Sequence, residues 1–226
     1  MKEKNRKIEE ISVLCTVILL LFLTIMVLDQ TLPVSFQEIT GKVVSTVNIS
    51  QSLPVNCTFT LYSGLNLVSF FCIPTQMPAP QVMAGVASNL EAVFEYQEGN
   101  ADAWKIYNPS LPSFVVQDLE NMGRTRGYWI NMRETQNYSL EGGLRIPNSI
   151  NLIPGWNLVG YPTNQTKPVS ESFASIEGNF TEVRAYNPIT DSFINYLPGV
   201  GGAVNQTEAY YGYWVNATIA EVWVVD

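Results

Sequence analysis

The chain has 226 residues, enough for one medium domain or two small ones, and carries 12 Lys and Arg against 20 Asp and Glu, a net charge of −8. Charged residues make up 14% and aromatics 12%, which suits a packed chain and not a disordered one. An acidic chain without a basic run excludes nucleic acid as an expected partner, and the absence of histidine removes imidazole bases and every His-containing zinc site.

Residues 1–10 form a charged tail. Ile11 to Leu28 is then an uncharged run of 18 residues, about 27 Å long as a helix and so matched to a bilayer core. It is longer than a signal-peptide core, and Asp29-Gln30-Thr31-Leu32-Pro33 after it offers no small-residue cleavage site. The expectation is an uncleaved signal-anchor. Lys2, Lys4, Arg6 and Lys7 precede it, so the tail is expected in the cytoplasm and the C-terminus outside the cell. Cys15 lies inside the run, without the small residue that a lipidated cysteine needs before it. Residues 29–55 read as a stalk in which Val43–Ile49 could form one strand. The exterior part, 29–226, has 8 basic and 17 acidic residues, a net charge of −9.

Asn48, Asn56, Asn137, Asn164, Asn179, Asn205 and Asn216 each begin an N-x-[ST] sequon. All seven fall on the exterior side, which agrees with the orientation set by the basic flank. Asn137, Asn164, Asn179 and Asn205 sit in segments that read as loops.

An internal repeat organises the remainder. Gly64-Leu-Asn-Leu-Val-Ser-Phe70 matches Gly155-Trp-Asn-Leu-Val-Gly-Tyr161. Tyr107-Asn-Pro-Ser-Leu-Pro-Ser-Phe114 matches Tyr186-Asn-Pro-Ile-Thr-Asp-Ser-Phe193. Gly127-Tyr-Trp-Ile-Asn131 matches Gly212-Tyr-Trp-Val-Asn216. The blocks keep their order at offsets of 91, 79 and 85, which defines module one over 57–147 and module two over 150–226.

Each module is expected to open with a hairpin. A two-residue turn at Gly64-Leu65 pairs Leu61 with Val68, Phe59 with Phe70 and Cys57 with Cys72. Module two pairs Leu152 with Val159 and Ile150 with Tyr161, and has Asn148 and Thr163 where module one has its cysteines. Cys57 and Cys72 are then placed to form a disulfide, which an exterior location preserves. A short helix follows, Gln81–Asn89 after Pro80 in module one and Glu171–Ile176 capped by Ser170 in module two. Strands are expected at Ala92–Gln97, Trp104–Tyr107, Gly127–Met132 and Leu140–Ile146, and again at Phe180–Tyr186, Ser192–Tyr196, Tyr211–Asn216 and Ala220–Val225. The fold class is mainly β (α+β): two tandem small antiparallel β domains, sandwich-like, each with one short helix, after an N-terminal transmembrane helix.

These blocks resemble the G-W-N-L-[VI] … Y-N-P … G-Y-W-[VI] modules of many secreted and surface-anchored proteins of archaea and some bacteria. Module two fits the pattern better; module one has Leu65 in place of Trp and inserts Phe71-Cys72-Ile73. The resemblance implies an accessory surface role and supplies no catalytic residues. Together with the anchor and the sequons it looks like an archaeal surface glycoprotein.

The densest acidic stretch is Glu91, Glu95, Glu98 and Asp102. It falls near a strand and its turn, where a solvated edge is the ordinary reading. No calcium-ligand run, G-x-S-x-G or P-loop occurs, so neither catalytic residues nor a metal or cofactor is expected. Candidate binding residues are aromatic. Alternation puts Tyr128 and Ile130 on one strand face and Trp129 and Asn131 on the other. Tyr213 and Val215 oppose Trp214 and Asn216 in the same way. Two readings stand: the Trp–Asn faces are open and stack on a sugar or anchor a partner, or the helix or the other module covers them. Trp156 is expected at a hairpin tip.

The leading expectation is a non-enzymatic, single-pass membrane-anchored cell-surface protein whose tandem modules serve adhesion, envelope structure or ligand binding, carbohydrate included. Its partners would be the membrane, through the N-terminal helix, and a glycan or another cell-surface protein. One alternative is a pilin-like or other polymerising envelope subunit, against which no Gly precedes the apolar run. A membrane-anchored hydrolase is the second alternative and has no supporting set of residues.

Overall fold

Residues 50–226 form one compact unit. The computed structural model describes residues 54–112, 114–144 and 148–225. The tail, the apolar span, Cys15, the Asn48 sequon and the stalk up to residue 53 lie outside the described residues, while residues 54–55 of the expected stalk begin the first strand. The unit is mainly β, with several antiparallel sheets and few, short helices.

The first repeat runs β1 (Pro54–Leu61), β2 (Gly64–Val68), β3 (Met77–Pro78), α1 (Ala79–Val82), β4 (Leu90–Tyr96), β5 (Trp104–Tyr107), β6 (Asn121–Met122), β7 (Tyr128–Met132) and β8 (Gln136–Gly143). The second runs β9 (Asn148–Leu152), β10 (Gly155–Gly160), β11 (Lys167–Pro168), α2 (Val169–Ser172), β12 (Phe180–Asn187), β13 (Ser192–Leu197), β14 (Gly201–Gly202), β15 (Gln206–Thr207), β16 (Gly212–Ala217) and β17 (Glu221–Val225). Strand pairing repeats as the sequence does. The sheet β2-β7-β4-β5 has its counterpart in β10-β16-β12-β13, extended by β14. The ribbon β1–β8 matches β9–β17, and the short pair β3–β6 matches β11–β15. In each repeat the sheet, the ribbon and the helical turns close around an apolar cluster. Leu61, Phe70, Val86, Val93, Tyr128 and Tyr138 belong to the first, and Tyr161, Phe173, Ile176, Val183, Tyr213 and Trp223 to the second.

The expected opening hairpins do not form. β1 pairs with β8 and β2 with β7, so Cys57 faces Leu140 along the ribbon and Val68 faces Tyr128 along the sheet. In the second repeat Ile150 pairs with Trp223 and Val159 with Tyr213. Each opening is therefore an arch whose two strands join different sheets and meet across the core. Along β1 the alternation was read with the right face, since Cys57 and Leu61 are buried, but it does not hold beyond β2, where Phe71 and Ile73 are buried in the same cluster as Phe70 and Cys72. The edge-to-edge pairing was wrong.

A buried asparagine explains the arch. Asn66 Oδ1 accepts the Tyr62 N–H (2.8 Å), and its Nδ2 donates to Tyr62 O (2.7 Å) and Gly64 O (3.0 Å). The side-chain amide thus replaces the neighbouring strand for Tyr62. Asn157 does the same for Ile153, at 2.9 and 2.8 Å. Gly64 and Gly155 have φ of +85° and +98°, a region that side-chain-bearing residues rarely enter. The G-x-N of both blocks is the signature of this arch.

Cys57 and Cys72 form a disulfide with Cα atoms 5.9 Å apart. It ties the ribbon to the chain beyond β2. In the second repeat Asn148 and Thr163 are buried at the matching places, and Asn148 Nδ2 donates to Pro162 O (3.0 Å). Loop-closure entropy for a separation of 15 residues predicts that paired Cys57→Ser and Cys72→Ser changes lower unfolding stability by about 2–4 kcal/mol. Urea melts of the oxidised protein and the variant, read by near-UV dichroism, check this.

The helices are shorter than expected. α1 and α2 are single turns, followed by 3-10 turns at Ala84–Val86 and Ala174–Ile176. Ser170 lies within α2 and caps nothing; Pro168 precedes the helix instead. Such short helices are held from outside. Tyr138 Oη donates to Val82 O (2.7 Å), and Trp223 Nε1 donates to Ser172 O (2.6 Å). The strand expected at Leu140–Ile146 begins earlier, at Gln136, because its partner β1 extends from Pro54 to Leu61.

Candidate functional site

The two sheets meet about an approximate two-fold axis. Val68 bridges Tyr211, and Arg126 bridges Val159. With offsets of 91 and 85 these bridges interchange. Gly127 and Gly212 admit the contact: a Cβ on Gly127 would lie 2.8 Å from Val159 O, and one on Gly212 2.9 Å from Val68 O. Ser69 sits at the axis, donating to Tyr211 O (2.9 Å) and accepting the Tyr161 N–H (3.2 Å). Its counterpart Gly160 has no room for a second hydroxymethyl, since a Cβ there would be 2.7 Å from two carbonyl oxygens.

Around the axis the aromatic pairs also interchange. Tyr96 lies 5.1 Å from Trp214, and Tyr186 4.9 Å from Trp129. Trp104 lies 6.2 Å from Trp214, and Phe193 5.8 Å from Trp129. Sheet register fixes these equivalences, because Tyr96 pairs with Trp104 and Tyr186 with Phe193. This corrects the central sequence match. Tyr186-Asn187-Pro188 turns from β12 into β13, whereas Tyr107-Asn108-Pro109 follows β5. Val93 and Val183 occupy equivalent places opposite Ile130 and Val215, so the offset here is 90, not 79.

All of these rings except Tyr186 line a cleft of about 430 Å³. The first repeat contributes Tyr96, Trp104 and Trp129, and the second Trp156, Arg184, Phe193 and Trp214. Trp129 and Trp214 are half-buried, with Tyr128, Ile130, Tyr213 and Val215 in the cores behind them. Trp104 and Phe193 remain 45% and 50% exposed at the rim. Both readings of the Trp face are thus partly met: the other repeat packs on each indole, and an open cleft remains. Trp156 lies on β10, 6.4 Å from Trp214. Its counterpart Leu65 does not line the cleft.

Among the described residues that line the cleft, Arg184 alone is charged. Its Nε and Nη2 donate to the two oxygens of Glu182 at 2.7 and 3.0 Å, and its guanidinium carbon stands 4.6 Å from the Trp156 ring centroid. The bond from Arg184 holds the Glu182 carboxyl below the usual range, and the same bond raises Arg184.

The asparagines read with the tryptophans do not join the cleft lining. Asn131 Nδ2 donates to Glu91 (2.6 Å), and Asn216 pairs with Trp156 and Glu182 in the sheet. The acidic stretch is dispersed. Asp102 holds Lys105 (2.8 Å) and Glu98 holds Arg126 (2.7 Å). Glu95 is not on a solvated edge: it is buried in phase with Val93, its carboxyl raised by burial and partly offset by Arg126 at 3.5 Å. Among the described residues no acidic, cysteine or histidine group could hold a metal ion.

Sequence reasoning missed Tyr96, Trp104, Phe193 and Arg184. The first three belong to the equivalent hairpin pairs Tyr96–Trp104 and Tyr186–Phe193, which strand alignment would have found; Arg184 has Phe94 as its counterpart and carries no repeat signal. Neither family models, curated proteins nor solved structures give a match to this chain, so the cleft itself carries the functional argument.

Proposed function

We propose that this chain is a non-enzymatic, membrane-anchored cell-surface protein whose paired β modules bind a carbohydrate in the aromatic cleft. The observation that carries this reading is the convergence of Trp129, Trp156 and Trp214 from both repeats on one cleft. Half-buried rings offer flat apolar faces to the C–H faces of a pyranose, with a polar edge for its hydroxyls. The apolar span Ile11–Leu28 supplies the anchor in this reading, and the resemblance of the repeats to surface-protein modules points the same way. Binding of the full-length protein in detergent to a glycan array is the test: selective retention of glycans supports the reading, and no retention overturns it.

The sequons extend the proposal. Asn56, Asn137, Asn164 and Asn205 are exposed, Asn137 on β8 and not in a loop. Asn179 is half-buried, and its amide donates to Glu221 (3.0 Å). Asn216 stands beside Trp156, where a glycan would crowd the cleft. Glycopeptide mapping of protein from its native membrane should find occupancy at the four exposed sites and an unmodified Asn216.

A further inference from the structure

We propose that the cleft selects an acidic sugar, a pyranose bearing a carboxylate, and that Arg184 is the residue that reads the acid. This inference rests on the carbohydrate reading above and narrows it.

Among the described residues lining the cleft, Arg184 alone is charged. Glu182 takes the Nε and Nη2 hydrogens on one side of the guanidinium. Arginine has five N–H donors, so the end-on pair formed by Nη1 and the second Nη2 hydrogen remains available, and Nη1 has no hydrogen-bond partner among the described residues. That pair has the spacing of a carboxylate and forms two parallel charge-assisted bonds with it. Glu182 and Trp156 at 4.6 Å fix the guanidinium plane, so little freedom is lost when the acid docks. Trp156 and Trp214, 6.4 Å apart and at 87°, offer a stacking face beside it and a wall across it. The other half of the pseudo-symmetric site has Phe94 and Leu65 in place of Arg184 and Trp156. The ligand is therefore read in one orientation, acid toward β12.

The overall charge of the exterior part opposes long-range attraction of a polyanion. The recognition is consequently a short-range one, from a single fixed pair of donors, and not a property of a basic surface.

The experiment uses the full-length protein in detergent micelles and tetrasaccharides of galacturonate, glucuronate and mannuronate, each beside its methyl ester, which keeps the ring and removes the charge. Calorimetry should show at least one acid bound about tenfold or more tightly than its ester, as expected for a charge-assisted bidentate contact against a neutral one. Arg184→Gln should abolish that preference, so that acid and ester bind alike, and Arg184→Lys should restore only part of it. Near-UV dichroism establishes that the variants remain folded. Equal binding of acid and ester overturns the acidic-sugar inference and leaves the carbohydrate cleft standing. A preference that survives in folded Arg184→Gln overturns the role of Arg184. Absence of binding to every acid and ester overturns the inference, and the glycan array then decides whether the cleft reading falls with it.

Discussion

Trp214→Ala should weaken glycan binding by the full-length protein about thirtyfold or more, the effect of losing an aromatic worth about 2 kcal/mol at the centre of a site. Trp214 is that centre. Its ring lies 5.1 Å from Tyr96, 6.2 Å from Trp104 and 6.4 Å from Trp156, so its removal opens the floor of the cleft and frees the rings that lean on it. Because the indole is only half-buried and the core behind it is Tyr213 and Val215, the cost in stability should be smaller, about 1–3 kcal/mol. Trp104→Ala is the comparison. Trp104 is 45% exposed at the rim, and its loss should reduce affinity less than tenfold. Calorimetry of both variants against the tightest glycan, with melting curves to establish folding, separates the cases. Undiminished affinity in folded Trp214→Ala would place the binding site elsewhere on the molecule.

What made this cleft partly legible in the sequence is alternation. A strand shows its two faces at period two whatever it pairs with, so Tyr128 and Tyr213 could be assigned to cores and Trp129 and Trp214 to the opposite face. The disulfide between Cys57 and Cys72 was expected from a hairpin register that does not form; the bond is present because the arch brings the turn after β2 back against β1. Alternation says nothing about which edges pair. A glycine at positive φ serves an arch as well as a hairpin, and the choice is made by Asn66 and Asn157, whose amides saturate the backbone that a hairpin partner would have taken. A buried asparagine two residues after the glycine was the available signal.

The hairpins β4–β5 and β12–β13 were misaligned for a different reason. Asn-Pro favours a turn wherever it falls, so Tyr-Asn-Pro recurs at turns that are not equivalent. Cross-strand pairs are the better guide, because the inter-repeat contact depends on them: Trp104 and Phe193 reach the opposite sheet only through their pairing with Tyr96 and Tyr186. Arg184 and Glu95 lay beyond any such reasoning. Each breaks the repeat, as Phe94 and Ala185 occupy the equivalent positions. The departures from symmetry give the two halves different chemistry.

Asn157→Ala should be among the most destabilising single changes in the second repeat, at about 2–4 kcal/mol in urea unfolding. The side chain is fully buried and satisfies the Ile153 N–H and C=O together with Gly155 O, and alanine leaves these part-buried groups without that partner. Asn157→Asp keeps the shape but loses the amide donors to Ile153 O and Gly155 O. It also buries a carboxylate, whose folded-state pKa must rise above its unfolded value near 4. The penalty for ionising it is then absent below that value and grows as pH rises toward the folded pKa. Asn157→Asp should therefore be closer to the parent protein at pH 4 than at pH 7, whereas the deficit of Asn157→Ala should be the same at both. The same arch carries Trp156 as the next residue along β10, so loosening it should also weaken glycan binding. Asn66→Ala loosens the equivalent arch, which carries Leu65 and supplies nothing to the cleft. It should cost comparable stability and weaken affinity less than Asn157→Ala does, because Asn66 reaches the cleft strand β7 only through a long bond to Ile130 O (3.3 Å), whereas Asn157 adjoins the lining residue Trp156. If both asparagine variants reduced binding alike, the cleft would depend on the packing of the two repeats as a whole and not on the placement of Trp156.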